Sequence, residues 1–95
     1  MSAETLRAKI REIPDFPKPG ILFYDITTLL KDGRGFHATV EQLTERYGVG
    51  GISKVVGIES RGFIVGSALA YNLRAGFIPI RKPGKLPAPT IRQEY

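Results

Sequence analysis

An apolar run, Val55-Val56-Gly57-Ile58, ends abruptly in Glu59-Ser60-Arg61-Gly62, and a glycine-punctuated apolar segment follows from Phe63 through Gly66. A buried strand that feeds a helix through so short a turn gathers backbone N–H groups at the helix's positive end, where anions bind. An arginine inside the turn adds a two-pronged donor that matches phosphate. Arg74, Arg81, Lys82, Lys85 and Arg92 then crowd the last quarter of the chain. These residues are equipped to hold a phosphorylated ligand, and a small polyphosphate accounts for so local a cluster. Nucleic acid would explain it equally well, although aromatic residues do not interleave with the basic ones as stacking platforms would.

The rest of the composition sets the frame for this chemistry. Ninety-five residues make at most one small domain with a modest core. With 42% hydrophobic and 24% charged residues, the chain is ordinary for a globular protein and not for a disordered one. A net charge of +5 implies an anionic partner or simple solubility. The absence of cysteine excludes a disulfide framework and a cysteine-based metal site. No apolar run approaches the roughly 18 residues that span a bilayer. Met1-Ser2-Ala3-Glu4-Thr5 has neither the basic start nor the apolar centre of a signal peptide, so a cytoplasmic setting is expected. His37, the only histidine, falls on the polar side of its helix and carries no expected role.

The elements that must position the turn follow from periodicity. Leu6, Ile10 and Ile13 recur at i, i+4 and i+7, which predicts a helix over 3–12 ended by Pro14. From Pro14 to Gly20, three prolines rule out regular structure and predict an ordered arm. Residues 21–26 read as a short strand. A helix opens near Asp32-Gly33, with Phe36, Val40, Leu43 and Tyr47 on one face, and Gly48, Gly50 and Gly51 stop it. Residues 53–58 are a strand, 61–74 a helix apolar around most of its girth, and 76–80 a second strand, with Pro79 placing it at an edge or strand end. The stretch 53–80 is therefore a βαβ unit with a right-handed crossover. A Pro/Gly/Lys loop follows over 81–89, and 90–95 begins another strand. Two parallel strands with one crossover helix leave open sheet edges and an incompletely covered helix, the pattern of the first half of an α/β sheet.

Four segments in register resemble one family, the adenine phosphoribosyltransferases. They are Ile13-Pro14-Asp15-Phe16-Pro17-Lys18-Pro19-Gly20-Ile21, Phe23-Tyr24-Asp25-Ile26-Thr27, the stretch from Gly57 to Gly66, and Arg81-Lys82-Pro83-Gly84-Lys85-Leu86-Pro87. The resemblance runs from about Ile10 to Tyr95 and covers the family's N-terminal half. It implies an incomplete type I phosphoribosyltransferase domain, a Rossmann-like parallel sheet. Residues 1–30 would form the N-terminal helix and adenine hood, and 31–95 the first half of the α/β core. The implied reaction moves phosphoribosyl from phosphoribosyl pyrophosphate to adenine, with magnesium bound through the pyrophosphate substrate, giving AMP and pyrophosphate in purine salvage. The family's full-length members are homodimers.

Residue by residue, the resemblance makes Glu59-Ser60-Arg61-Gly62 the pyrophosphate loop, with a cis peptide expected between Glu59 and Ser60. Arg81, Lys82 and Lys85 match a basic loop that also meets pyrophosphate oxygens. Leu22, Phe23 and Tyr24 match the hood over adenine, where backbone groups at the first and third positions read the base edge. Tyr24 stands where the commonest family pattern has arginine; backbone reading survives that change, while a role for the arginine side chain does not carry over. Asp25 caps or buttresses the hood. The family's Asp-Asp…Thr-Gly-Gly cradle for the ribose 5-phosphate has no counterpart among these residues. The terminal Glu94-Tyr95 looks like the family's catalytic Glu-Tyr pair, but Thr90-Ile91 through Tyr95 match an earlier Thr-Ile-x-x-x-Tyr. The catalytic glutamate is therefore expected beyond Tyr95, no catalytic residue is assigned within the chain, and turnover by these residues alone is not expected. The alternative is a non-catalytic module that binds pyrophosphate or a nucleotide; a nucleic-acid binder ranks third.

Overall fold

The computed structural model describes residues 1–84 and Ile91. Two compact units follow one another, Met1–Gln42 and Leu43–Tyr95. The elements in order are α1 (Ala3–Ala8), β1 (Arg11–Pro14), β2 (Leu22–Asp25), α2 (Thr27–Leu30), α3 (Gly33–Tyr47), β3 (Lys54–Ile58), α4 (Arg61–Leu73) and β4 (Gly76–Ile80).

In the first unit, α1 starts where the Ser2 hydroxyl accepts the Thr5 N–H at 3.1 Å, a side-chain cap that satisfies one of the helix's unpaired donors. The helix predicted over 3–12 ends at Ala8. Lys9 and Ile10 turn the chain, and its expected last two residues belong instead to β1, paired antiparallel to β2 in the register Arg11↔Asp25, Glu12↔Tyr24, Ile13↔Phe23 and Pro14↔Leu22. A spacing of i, i+4 and i+7 over three residues did not distinguish one helix from a helical turn followed by a strand. Cross-strand pairing decided it. Pro14 is the last residue of β1, where its missing N–H costs the ladder least.

The arm of prolines is the connection of this hairpin. Phe16–Pro17 is cis, and Asp15 and Gly20 take positive φ of 57° and 87°. The Gly20 N–H donates to Asp15 Oδ1 at 2.9 Å, and the Phe16 N–H donates to the Ile21 carbonyl at 3.1 Å. Phe16 meets Phe23 edge to face with ring centroids 5.2 Å apart, a favoured aromatic geometry.

Asp25 is the buried carboxylate of this unit. Its Oδ2 accepts from both Arg11 Nη2 (2.5 Å) and Nε (3.2 Å), and its Oδ1 from the Thr27 hydroxyl (2.7 Å) and the Thr27 N–H (2.9 Å). One side chain thus locks the strand register and starts the short α2, which the sequence reading passed over. Further along, Lys9 pairs with Asp32 at 2.6 Å, and the Thr28 hydroxyl donates to the Lys9 carbonyl. Leu29 and Val40 are buried; Gly35 sits so close to Leu29 that an added Cβ would lie 2.9 Å from its Cδ1.

The second unit holds the βαβ. β3 and β4 pair in parallel from Lys54↔Gly76 to Ile58↔Ile80, with α4 crossing between them. Arg74 takes the left-handed conformation that ends α4, and the Ala75 N–H closes onto the Ala70 carbonyl at 2.9 Å. Gly57, Gly66 and Ala70 are buried at the helix–sheet contact. Val56, Ile58, Ile78 and Ile80 stay exposed, as do Ile64 and Tyr71 on α4. Among the described residues, β3 and β4 pair only with each other, so open sheet edges and a part-covered helix are present as expected. The strand expected over 90–95 lies outside the described residues, apart from Ile91.

The Thr27 hydroxyl and N–H, and then Arg11, lower the Asp25 pKa from 3.8 to about 2. A value depressed in the folded state means its stabilisation is complete above pH 3.8 and is lost as pH falls toward 2. The Thr27 amide resonance is accordingly expected to titrate with a midpoint near 2, and to stop doing so in Asp25→Asn. An NMR midpoint near the ordinary 3.8 would contradict this.

Candidate pyrophosphate site and hood

Why the turn after β3 has its shape is a question of clearance. A Cβ on Gly57 would lie 2.5 Å from Phe77 Cζ and 2.6 Å from the Gly62 carbonyl oxygen. One on Gly66 would lie 2.8 Å from Phe77 Cε1. The glycines let the first two turns of α4 press onto β3 around the Phe77 ring, so the helix begins immediately after the strand ends. Phe63, on the first turn, stands perpendicular to Phe77 with centroids 5.9 Å apart.

Between strand and helix lie only Glu59 and Ser60. Their peptide bond is cis, as the family resemblance implies. Ser60 is the residue before the helix, but its side chain makes no capping bond; its carbonyl accepts the Phe63 N–H at 3.1 Å. The opening turn of α4 lacks acidic residues and begins with the exposed Arg61. Its backbone N–H groups and helix dipole make this end electropositive.

Glu59 ties the turn to the end of β4. Its N–H donates to the Ile80 carbonyl at 2.9 Å, which extends the β3–β4 ladder by one bond. Its Oε1 accepts the Lys82 N–H at 2.9 Å and lies 3.5 Å from Arg81 Nε. The Arg81 guanidinium in turn stands over the Phe63 ring at 5.7 Å, a cation–π distance. The Lys82 N–H, followed by the charges of Arg81 and Lys82, lowers the Glu59 pKa from its ordinary 4.5. Six of the residues singled out from sequence (Glu59, Ser60, Arg61, Gly62, Arg81 and Lys82) are thus brought to one end of the βαβ. Lys85 lies outside the described residues. An open groove along β3 and α4, lined by apolar residues including Val55, Val65 and Leu69, ends at Glu59 and Arg61.

Leu22, Phe23 and Tyr24 belong to the first unit, where they make up most of β2. Leu22 and Tyr24 are exposed, while Phe23 turns inward onto Phe16. Residues two apart on a strand present their backbone groups toward the same edge. Asp25 buttresses this strand as expected. Sequence reading missed its partner Arg11, because a pairing across 14 residues becomes visible only once the hairpin register is known. It also missed Phe63 as the ring beneath Arg81; an apolar helix position carries no signal for that contact.

No protein-family model matches the chain. An adenine phosphoribosyltransferase of Acidobacterium capsulatum is 59% identical over all 95 residues, which are 52% of its own length. The crystal structure of adenine phosphoribosyltransferase from Thermoanaerobacter pseudethanolicus superimposes with a TM-score of 0.93 at 48% identity, covering 99% of this chain and 56% of that one. Over its whole length, the chain is related to the N-terminal half of adenine phosphoribosyltransferases. The Giardia lamblia enzyme, solved with 9-deazaadenine, superimposes with a TM-score of 0.86 at 46% identity, covering 92% of this chain and 48% of that one. The chain spans about half the length of the relatives it matches, and its fold is part of a type I phosphoribosyltransferase domain. Among the described residues, no helix is long and apolar enough to cross a membrane.

The clearance argument makes a direct prediction. Gly57→Ala should destabilise the chain by about 1–3 kcal/mol, the usual range for overpacking a filled site. A urea midpoint unchanged from the parent would contradict the close approach of α4 to β3.

Proposed function

We propose that the chain carries the pyrophosphate-holding turn and the adenine-facing hood of an adenine phosphoribosyltransferase, which transfers phosphoribosyl from phosphoribosyl pyrophosphate to adenine and yields AMP and pyrophosphate. The observation that carries this reading is the turn itself. An arginine at a helix start, two residues after a strand and in the same turn as the Glu59 that holds Arg81 and Lys82, lies within a chain related throughout to such enzymes.

The leaving pyrophosphate gains charge as its bond to the sugar breaks. Donors fixed beforehand at that place stabilise the transition state more than the ground state. Within the Glu59-Ser60-Arg61-Gly62 loop, the backbone N–H groups that follow Glu59 and the Arg61 guanidinium would take this part, with Arg81, Lys82 and Lys85 adding charge. At the hood, the Leu22 and Tyr24 backbone groups would read the base edge, with Phe23 anchoring the strand between them. Backbone reading fits Tyr24 as well as it would arginine.

Magnesium belongs to the same proposal as an ion bound through phosphoribosyl pyrophosphate, where it would offset phosphate charge. Glu59 and Asp25 are already engaged with basic and N–H partners, which fits an ion held by the substrate's phosphates. A homodimeric assembly, a cytoplasmic setting and a place in purine salvage are the further parts of the reading that relatedness supports. We extend it to a single domain of two segments, 1–30 with the hood and 31–95 with the core.

Calorimetry with inorganic pyrophosphate tests the reading. The 95-residue chain should bind saturably, and Arg61→Gln should weaken binding about tenfold, the scale of one charge-assisted hydrogen bond. Absence of binding, or an affinity indifferent to Arg61, would contradict it.

A further inference from the structure

A carboxylate beside an anion site needs a reason, since an unpaired Glu59 would repel the phosphate that the turn is built to attract. The reason lies in its three ties to the segment leaving β4. The backbone N–H holds the Ile80 carbonyl at 2.9 Å, the carboxylate accepts the Lys82 N–H at 2.9 Å, and the same oxygen faces Arg81 Nε at 3.5 Å. Arg81 is held from its other side by the Phe63 ring, itself seated on Phe77.

We propose that Glu59 is a positioning residue, not a ligand contact: its carboxylate clasps the Arg81–Lys82 backbone and side chain to the strand-to-helix turn. The basic segment thereby starts from a fixed point instead of swinging from the end of β4. The clasp also resolves the charge problem. Its negative charge is spent on Arg81 and on a backbone N–H, so the turn remains a net donor. Phe63 completes the device by limiting where the guanidinium can go. This assignment rests on the pyrophosphate reading for its purpose, but the clasp itself is a contact that can be observed without any ligand.

Two measurements on the 95-residue chain separate the two ideas. The first is hydrogen exchange at the Lys82 amide by NMR. Glu59→Ala should speed it about fivefold or more relative to the parent, as expected for loss of a part-exposed hydrogen bond to a charged acceptor. Glu59→Gln, which keeps an oxygen acceptor without the charge, should recover part of the protection. The second is inorganic pyrophosphate binding by calorimetry, which Glu59→Ala should weaken several-fold even though it removes a negative charge, with Glu59→Gln again intermediate.

Exchange at Lys82 that is no faster in Glu59→Ala overturns the clasp, as does exchange in the parent at the rate of an unstructured peptide. Pyrophosphate binding that tightens or stays constant on removing Glu59 overturns the positioning role and makes the carboxylate a mere repelling charge. If the parent binds no pyrophosphate, the functional reading falls, while the Lys82 exchange rates still decide the clasp.

Discussion

The close approach of α4 to β3 around Phe77 is the constraint on which the second unit depends. Gly57 and Gly66 leave no room for side chains, and that lack of room brings the helix start against the strand end. Every feature of the strand-to-helix turn follows from it. With only Glu59 and Ser60 between strand and helix, the helix's positive end, Arg61 and the end of β4 are forced into one small region. A longer connection would leave the same residues present and their chemistry dispersed.

The first unit is organised by a different interaction with a similar logic. Asp25 accepts four hydrogen bonds from Arg11 and Thr27, so one carboxylate fixes the register of the hairpin and the start of α2. Leu22 and Tyr24 are then displayed on the outer side of a strand whose inner side is anchored by Phe23 and Asp25. In both units an acidic side chain beside the residues of interest is satisfied internally. Each orders backbone that other groups use.

Much of this was legible in the residues. The strand at 54–58, the helix from Arg61 and the strand at 76–80 were each marked by an apolar run bounded by glycine or charge, and the structure has them within a residue of the expected bounds. The turn was legible because its residue types are unusual between a buried strand and an apolar helix. The N-terminal stretch was not, for a physical reason: whether Ile10 to Ile13 is helix or strand depends on a partner strand ten residues away, across a proline-rich connection with a cis bond. The engagement of Glu59 with Lys82 was hidden for the same reason, since it spans 23 residues and uses a backbone donor that has no signature in sequence.

The central claim is that the turn and the segment after β4 form one anion site. Mapping amide chemical shifts while inorganic pyrophosphate is added tests it most directly. The account predicts saturable shifts confined to Ser60 through Phe63 and to Arg81 and Lys82. Shifts spread over the basic residues of the whole chain, or none at the turn, would contradict it.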